Sequence, residues 1–145
     1  DNTLAIGMVA RSNEKGIDEI RKSLKKYGYK VIAVPCDEKY LHLDLCFNLV
    51  DEKLAVAYRD GLPREFLKTL DDMGIETIDI SEESVFNHGC NLQSIGKKRV
   101  ISLKQNTYVN EELRKRGITV IDLDITEILK AGGGPHCMTF PLSRV

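Results

Sequence analysis

Three similar segments recur along the chain, each joining the end of a predicted helix to a strand. They read KKYGYKVIAV, DDMGIETIDI and RKRGITVIDL, and their glycines, Gly28, Gly74 and Gly117, are 46 and 43 residues apart. Glycine directly after a helix is typical of helices that end on a left-handed residue. A repeat of this period indicates either an array of stacked units or a propeller.

The residues on either side of these glycines predict one order of elements: strand, turn, helix, glycine, strand, polar link and strand. Strands are expected at 3–9, 30–35, 40–50, 54–58, 76–80, 91–95, 99–103 and 119–123, helices at 15–27, 64–73 and 109–116, and a closing apolar segment at 137–142. This alternation favours an α/β fold with helices packed on small mixed sheets. We therefore expect one domain, residues 1–145, with three βαβ-type units at about 1–53, 54–98 and 99–145.

Composition and charge exclude several classes of protein. A chain of 145 residues can bury the core of one ordinary domain. The formal net charge is −1 with both signs interspersed, so no surface for nucleic acid is expected. No apolar run approaches membrane-spanning length, and the polar start does not resemble a signal peptide. The cysteines form no C-x-x-C pair, so we expect reduced thiols in a cytoplasmic protein with no metal and no cofactor.

Residues 131–140, AGGGPHCMTF, place a cysteine shortly after three consecutive glycines. Gly132, Gly133 and Gly134 can follow backbone paths that other residues cannot, including close approach to a ligand. Cys137, presented by such a loop, is a candidate nucleophile. The alternative is a flexible tail with a buried, inert thiol, which is the commoner role of an unpaired cysteine.

A second candidate is the pair His42 and Asp44 in YLHLDLCFNLV. In a strand, residues two apart share a face, so this pair would lie opposite the neighbouring leucines. Such alternation fits a sheet with one face in solvent, or a pocket in which histidine acts as general acid and base beside a carboxylate. His42 could also serve Cys137, since the partners of a catalytic thiol are adjacent in space and not in sequence.

The repeat places polar residues after the second strand of each unit. They are His42 and Asp44 in the first unit, His88 and Asn91 in the second, and His136 and Cys137 in the third. If the units surround a pseudo-symmetry axis, these side chains converge near it, where a pocket is common. In an extended segment His136 would point away from Cys137 and support the loop. His88 lies beside a glycine in a turn and is interpreted as a loop histidine.

The carboxylate also bears on the ligand. A negative charge beside a thiol disfavours the thiolate, so Asp44 near Cys137 makes chemical sense if the substrate is cationic. A guanidinium or an amidine meets this requirement, because its carbon is the electrophile and its nitrogens donate hydrogen bonds to carboxylates.

Three motifs, LHLDLCFNLVD at 41–51, GCNLQSIG at 89–96 and GGGPHCMTFPL at 132–142, occur in this order and span most of the chain. They closely resemble the guanidino-group-modifying superfamily, which includes arginine deiminase, agmatine deiminase, dimethylarginine dimethylaminohydrolase and the amidinotransferases. The fold of that superfamily is a five-bladed ββαβ propeller of the pentein type. The resemblance implies that this chain is the C-terminal part of such a propeller, with about three of the five units.

The resemblance implies a role for each matching residue. Cys137 matches the nucleophile that attacks the guanidino carbon and forms a covalent thiouronium intermediate. His42 matches the general acid and base, and Asp44 matches the aspartate that binds guanidinium nitrogens. Arg11, in VARSNEKG, resembles the arginine that holds the substrate's carboxylate in several members, although it could equally be an exposed turn residue. The implied activity is hydrolysis of an arginine or methylarginine type of compound.

Departures from the family pattern accompany the match. The family's glutamate in an E-G-G-D-like segment and an aspartate further upstream are not in this sequence, so those carboxylates would lie outside it. Ala131 stands where arginine deiminases often carry arginine, and Pro135 interrupts the usual run into His-Cys. An incomplete ring would leave an apolar edge, which we expect an N-terminal segment or a second copy of the chain to cover.

Other functions remain compatible with parts of the pattern. An amidinotransferase would use the same residues but let an amine attack the thiouronium in place of water. A non-catalytic propeller that resembles the ribosome anti-association factors would have no need of Cys137, His42 and Asp44 together. A folded but inert fragment is the remaining alternative.

Overall fold

The computed structural model describes residues 2–140 and residue 142. The strands of this part are β1 (Thr3–Met8), β2 (Lys30–Pro35), β3 (Phe47–Asp51), β4 (Leu54–Ala57), β5 (Glu76–Asp79), β6 (Gln93–Ser94), β7 (Arg99–Leu103) and β8 (Thr119–Leu123). The helices are α1 (Glu14–Lys25), α2 (Arg64–Asp72), α3 (Glu82–Phe86), α4 (Thr107–Lys115) and α5 (Thr126–Leu129). Short 3₁₀ turns lie at Leu43–Leu45 and Arg59–Gly61.

The strands form three small sheets that follow one another along the chain. The first sheet contains only β1 and β2, which run parallel. The second has the order β3-β4-β5 and the third β6-β7-β8, each with one antiparallel and one parallel pair. In each parallel pair a helix connects the two strands, as the predicted βαβ units require. The link strands β3 and β6 pair with the strands that follow them, so each opens the next sheet.

The repeated glycines end α1, α2 and α4 in the predicted way. Gly28, Gly74 and Gly117 have φ angles of 74°, 64° and 77°. In the second and third units, the N–H of Ile75 donates to Leu70 at 2.9 Å and that of Ile118 donates to Leu113 at 3.0 Å. These are the hydrogen bonds of a Schellman motif, which satisfies the last carbonyl groups of a helix and turns the chain towards the next strand.

The strand predicted at 40–50 is wrong over its first half. Strand β3 begins only at Phe47, and the residues before it form the 3₁₀ turn. The N–H of Leu45 donates to the carbonyl of His42, and the N–H of Cys46 donates to that of Leu43. Leu43 and Leu45 pack partly buried against the core from this turn, so their alternation with polar residues does not mark a sheet face here.

Two short helices and one turn also differ from the prediction. Helix α3 lies in a segment predicted as a polar link, and Ser81 caps it by accepting the N–H of Ser84 at 3.2 Å. Helix α5 precedes the glycine run. The apolar segment at 137–142 forms no strand in its described part, because the backbone turns from Pro135 to Met138; residue 141 lies outside the described residues.

The second sheet lies at the centre of the core. All of β4 is buried, whereas no residue of β8 is fully buried and β1 buries only Gly7. Ile121 and Leu123 of β8 and Leu4 of β1 are among the exposed apolar residues. The central strand of the middle sheet is therefore covered on both sides, while among the described residues the outer sheets each leave apolar side chains exposed. Among the described helices, none is long and apolar enough to cross a membrane.

Candidate active site

His42 and Asp44 lie at the 3₁₀ turn between β2 and β3, and both are half-buried. Gly7 of β1 leaves room for this turn, because a Cβ at Gly7 would lie only 2.8 Å from the Cβ of Leu43. The prediction that His42 and Asp44 share a face of a strand is therefore wrong in its geometry. The turn nevertheless keeps the two side chains close enough for the charge of His42 to lower the pKa of Asp44.

Tyr40 anchors the chain just before this turn. It is 1% exposed, and its hydroxyl donates to Oε1 of Glu82 in α3 at 2.9 Å. Its ring stacks on that of Phe86 with centroids 6.1 Å apart. Burial raises the pKa of Tyr40 to about 12, so the phenol stays protonated and remains a donor. These contacts fix the point from which His42 projects.

Asp44 is the carboxylate of the site. Its Oδ2 lies 2.9 Å from Nδ1 of His136, and its Oδ1 is buried without a hydrogen-bond partner among residues 2–140 and 142. The hydrogen bond with His136 lowers the pKa of Asp44 against the opposing effect of burial, and the charges of His136 and His42 lower it further. A buried carboxylate oxygen with no donor is suited to an N–H group of a ligand.

Cys137 lies in a tight turn after the glycine run and is exposed. The hydroxyl of Thr139 donates to the carbonyl of Pro135 at 2.8 Å and closes this turn. The expectation of an extended segment is wrong here, and His136 directs its ring towards Asp44 from the turn. The role of His136 in supporting the loop stays a prediction, and the contact with Asp44 depends on the tertiary fold.

Asn91 joins the other link residues through specific contacts. Its Oδ1 accepts the backbone N–H of His136 at 2.8 Å, and its Nδ2 donates to Sγ of Cys137 at 2.9 Å. The repeat had aligned Asn91 with these residues but gave it no role. Its position in the repeat was the signal that placed it near the site. Periodicity does not show which atoms meet, so the sequence did not predict these contacts.

The other residues that the sequence singled out are glycines of the loop, Arg11 and His88. Gly133 approaches Cys137 closely, since a Cβ there would lie 3.1 Å from the Cβ of Cys137, and Gly132 has a φ of 90°. Arg11 is exposed in the turn after β1. His88 lies in a turn with a φ of 64°, as predicted, and its Nδ1 is buried with no partner in the described part of the chain.

An open cavity of about 300 Å³ adjoins the carboxylate. Asp44 and His136 line it together with apolar residues of several elements, Ala5 of β1, Phe47 of β3 and Phe66 of α2 among them. The cavity therefore lies between the first and second sheets. Within the described ranges, no group of three or more His, Cys, Asp or Glu residues could hold a metal ion.

A comparison with protein families identifies the chain. Residues 1–144 match the family described as N,N dimethylarginine dimethylhydrolase, eukaryotic. The chain belongs to the dimethylarginine dimethylhydrolase family. The superfamily that the motifs resembled, the guanidino-modifying enzymes, is confirmed by this match and by the relatives and structures that follow.

Two curated relatives illustrate the range of similarity within and around the family. The uncharacterised protein YkgA of Bacillus subtilis is 35% identical over 144 residues, which cover 99% of this chain and 49% of YkgA. An arginine deiminase of Bacillus thuringiensis is 26% identical over 184 residues, covering 99% of this chain and 45% of the deiminase. The chain thus spans about half the length of the curated relatives it matches.

Solved structures share the mixed α/β fold of the dimethylarginine dimethylhydrolase family. The N-terminal domain of ArgZ, a cyanobacterial arginine dihydrolase bound to its product, has a TM-score of 0.79 and 25% identity over 98% of this chain and 52% of the other. A dimethylarginine dimethylaminohydrolase adduct with 4-chloro-2-hydroxymethylpyridine has a TM-score of 0.74 and 25% identity over 94% of this chain and 52% of the other.

Proposed function

We propose that this chain supplies the nucleophile of a cysteine-dependent hydrolase that acts on a guanidino compound of the arginine or methylarginine type. One observation carries the proposal: the loop of Cys137 is joined through His136 to Asp44, whose second carboxylate oxygen is buried and has no partner among the described residues. The named activities of ArgZ and of the dimethylarginine dimethylaminohydrolase support the same substrate class.

Asp44 binds the substrate in this proposal. A guanidinium presents several N–H donors, and a charge-assisted hydrogen bond to the buried Oδ1 supplies the partner that this oxygen lacks. The positive charge of the substrate also offsets the repulsion between the carboxylate and a nearby thiolate. Arg11 would hold the carboxylate at the other end of an amino-acid substrate.

The first chemical step forms a bond between sulfur and carbon. The thiolate of Cys137 attacks the guanidino carbon, and the C–N bond to the departing amine breaks as protonated His42 donates a proton to that nitrogen. The products of this step are a free amine, neutral His42 and a thiouronium group on Cys137. Gly132, Gly133 and Gly134 give the loop the compact path that lets the sulfur reach a planar cation.

The second step releases the product. Neutral His42 takes a proton from water as the oxygen attacks the thiouronium carbon, and the C–S bond then breaks. The second proton of the water passes to solvent as the carbonyl forms, the thiolate of Cys137 is restored and the ureido product leaves. The same residue therefore acts first as acid and then as base.

Product formation tests this proposal. A protein that joins this chain to the carboxylates expected outside it should convert arginine or a methylated arginine to citrulline, and Cys137→Ser should abolish that turnover; the isolated chain is expected to be inactive. His42→Ala should lower kcat by at least about a hundredfold, because a positioned acid and base contributes that much. A Cys137→Ser variant that turns over like the wild type would exclude Cys137 as the nucleophile.

We further propose that the three sheets are consecutive units of a pentein-type propeller and that a strand covers the open side of β1. In the second and third sheets an antiparallel strand, β3 or β6, pairs with the strand that corresponds to β1 in the repeat. Among the described residues, β1 has no such partner. The cavity between β1 and β3 adjoins this region. The proposed occupant is a strand from the half of the family fold that this chain does not span, and self-association is the alternative outcome.

A further inference from the structure

The side chain of Asn91 contacts the nucleophile loop through both of its polar atoms. Its Oδ1 lies 2.8 Å from the backbone nitrogen of His136, and its Nδ2 lies 2.9 Å from Sγ of Cys137. Because a backbone N–H can only donate, the oxygen of the amide must face His136. The NH₂ group then faces the sulfur, to which it can only donate.

The surrounding fold holds this amide in place. Asn91 is 2% exposed. The carbonyl groups of its neighbours, Cys90 and Leu92, accept hydrogen bonds from Nδ2 of Asn48 in β3 at 2.8 and 2.6 Å. Gly134 leaves the space that the amide fills, since a Cβ at Gly134 would lie 2.7 Å from Oδ1 of Asn91. The donor at the sulfur is therefore fixed in position before any ligand arrives.

We propose that Asn91 is a positioning residue for the nucleophile, holding the loop at His136 and directing an N–H donor at the sulfur of Cys137. This inference rests on the proposed role of Cys137 and adds what holds its sulfur in place. An N–H donor stabilises negative charge on sulfur before the attack and again when the C–S bond breaks.

Asn91→Asp tests the donor directly. Aspartate preserves the shape of the side chain and an oxygen for the N–H of His136, but it places a second oxygen and a negative charge at the sulfur. We expect alkylation of Cys137 by iodoacetamide at neutral pH to slow about tenfold, and its rate to recover only at higher pH. Peptide mass mapping separates Cys137 from the other three cysteines.

Asn110→Asp is a matched control for the loss of a buried amide. Asn110 is 1% exposed, accepts the hydroxyl of Ser102 at 2.6 Å and donates to the carbonyl of Leu103 at 2.9 Å. Its replacement should lower the melting temperature as Asn91→Asp does. It should leave the alkylation rate of Cys137 within about twofold of the wild type, because this amide donates nothing to the sulfur.

Gly134→Ala perturbs the same contact without changing Asn91. The added methyl group displaces the amide, so alkylation of Cys137 should slow as it does in Asn91→Asp. If Asn91→Asp does not fold, this variant tests whether the amide of Asn91 acts on the sulfur. Wild-type alkylation rates and pH profiles in the folded variants would overturn the inference. Slowed alkylation in a protein that never hydrolyses guanidino compounds would support the role of Asn91 and count against the proposed function instead.

Discussion

Asp44 divides its two oxygens between a partner in the chain and the proposed ligand. Oδ2 pairs with His136, while the buried Oδ1 has no partner in the described residues. Because the hydrogen bond with His136 lowers the pKa of Asp44 from its ordinary 3.8, the pair stabilises the folded chain above that pH. This contribution is lost as the pH falls through the lower pKa of the folded state.

The first prediction concerns this linkage. His136→Ala should raise the pKa of Asp44 towards its ordinary value, as measured by NMR titration of the carboxyl carbon. The wild type should be more stable than the variant at neutral pH, and the difference should shrink as the pH falls below 3.8. Lys22→Ala, which removes an exposed ion pair with Glu19, should show no comparable pH dependence. A constant stability difference for His136→Ala at all pH values would refute the linkage.

A second prediction concerns the anchor before the site. Tyr40→Phe removes the hydroxyl that donates to Glu82 while preserving the stacked ring. We expect the free energy of unfolding, measured with urea, to fall by about 1 kcal/mol or somewhat more. One hydrogen bond typically contributes about 1 kcal/mol, and a hydrogen bond to a charged acceptor contributes more. Tyr108→Phe is the control, because Tyr108 is 55% exposed, and it should change stability little. Equal stability of the two variants would show that the hydroxyl does not anchor the turn.

At the scale of elements, the sequence predicted those features whose cause is local. Strands β2, β7 and β8 have the predicted bounds because short segments rich in valine, isoleucine and leucine define them, and the glycines mark the helix ends. The turn at 43–45 was missed because its stability depends on room left by Gly7 in a distant strand. The link between His136 and Asp44 spans 92 residues and could not be deduced from either local pattern.

A third prediction tests the helix ends of the repeat. Gly74→Ala places a side chain at a φ of 64°, where it should cost about 1 kcal/mol of stability even though the added Cβ meets no neighbour within 4 Å. Gly16→Ala, inside α1, should instead stabilise the protein by up to about 1 kcal/mol, because alanine favours helix. Chemical unfolding of both variants measures the difference. A neutral Gly74→Ala would mean that the glycine is not required by the repeat.

At the scale of the molecule, the first sheet differs from the other two. The carbonyl of Asn2 accepts the N–H of Lys30 in β2, and that of Met8 accepts the N–H of Cys36 directly after β2. The alternate residues Thr3, Ala5 and Gly7 therefore direct their backbone groups to the other edge, which is unpaired among the described residues. An unpaired edge beside a partly apolar cavity is a template for another strand.

A fourth prediction follows for the isolated chain. Without a covering strand it should self-associate, which light scattering would detect, and Ala5→Pro should reduce association by removing an N–H from the open edge while sparing the pairs with β2. Addition of the other half of the family fold should compete with self-association. A stable monomer of 16.3 kDa that binds no such segment would contradict the proposed covering strand.

The most direct test of the central claim compares a cationic and a neutral reagent at Cys137. The rates of alkylation by 2-chloroacetamidine and 2-chloroacetamide, each divided by its rate with free glutathione, measure whether the site favours a planar cation. The claim predicts a preference for the amidine of at least about tenfold, corresponding to one charge-assisted hydrogen bond, and its loss in Asp44→Asn. Equal normalised rates for the two reagents in the wild type would contradict it.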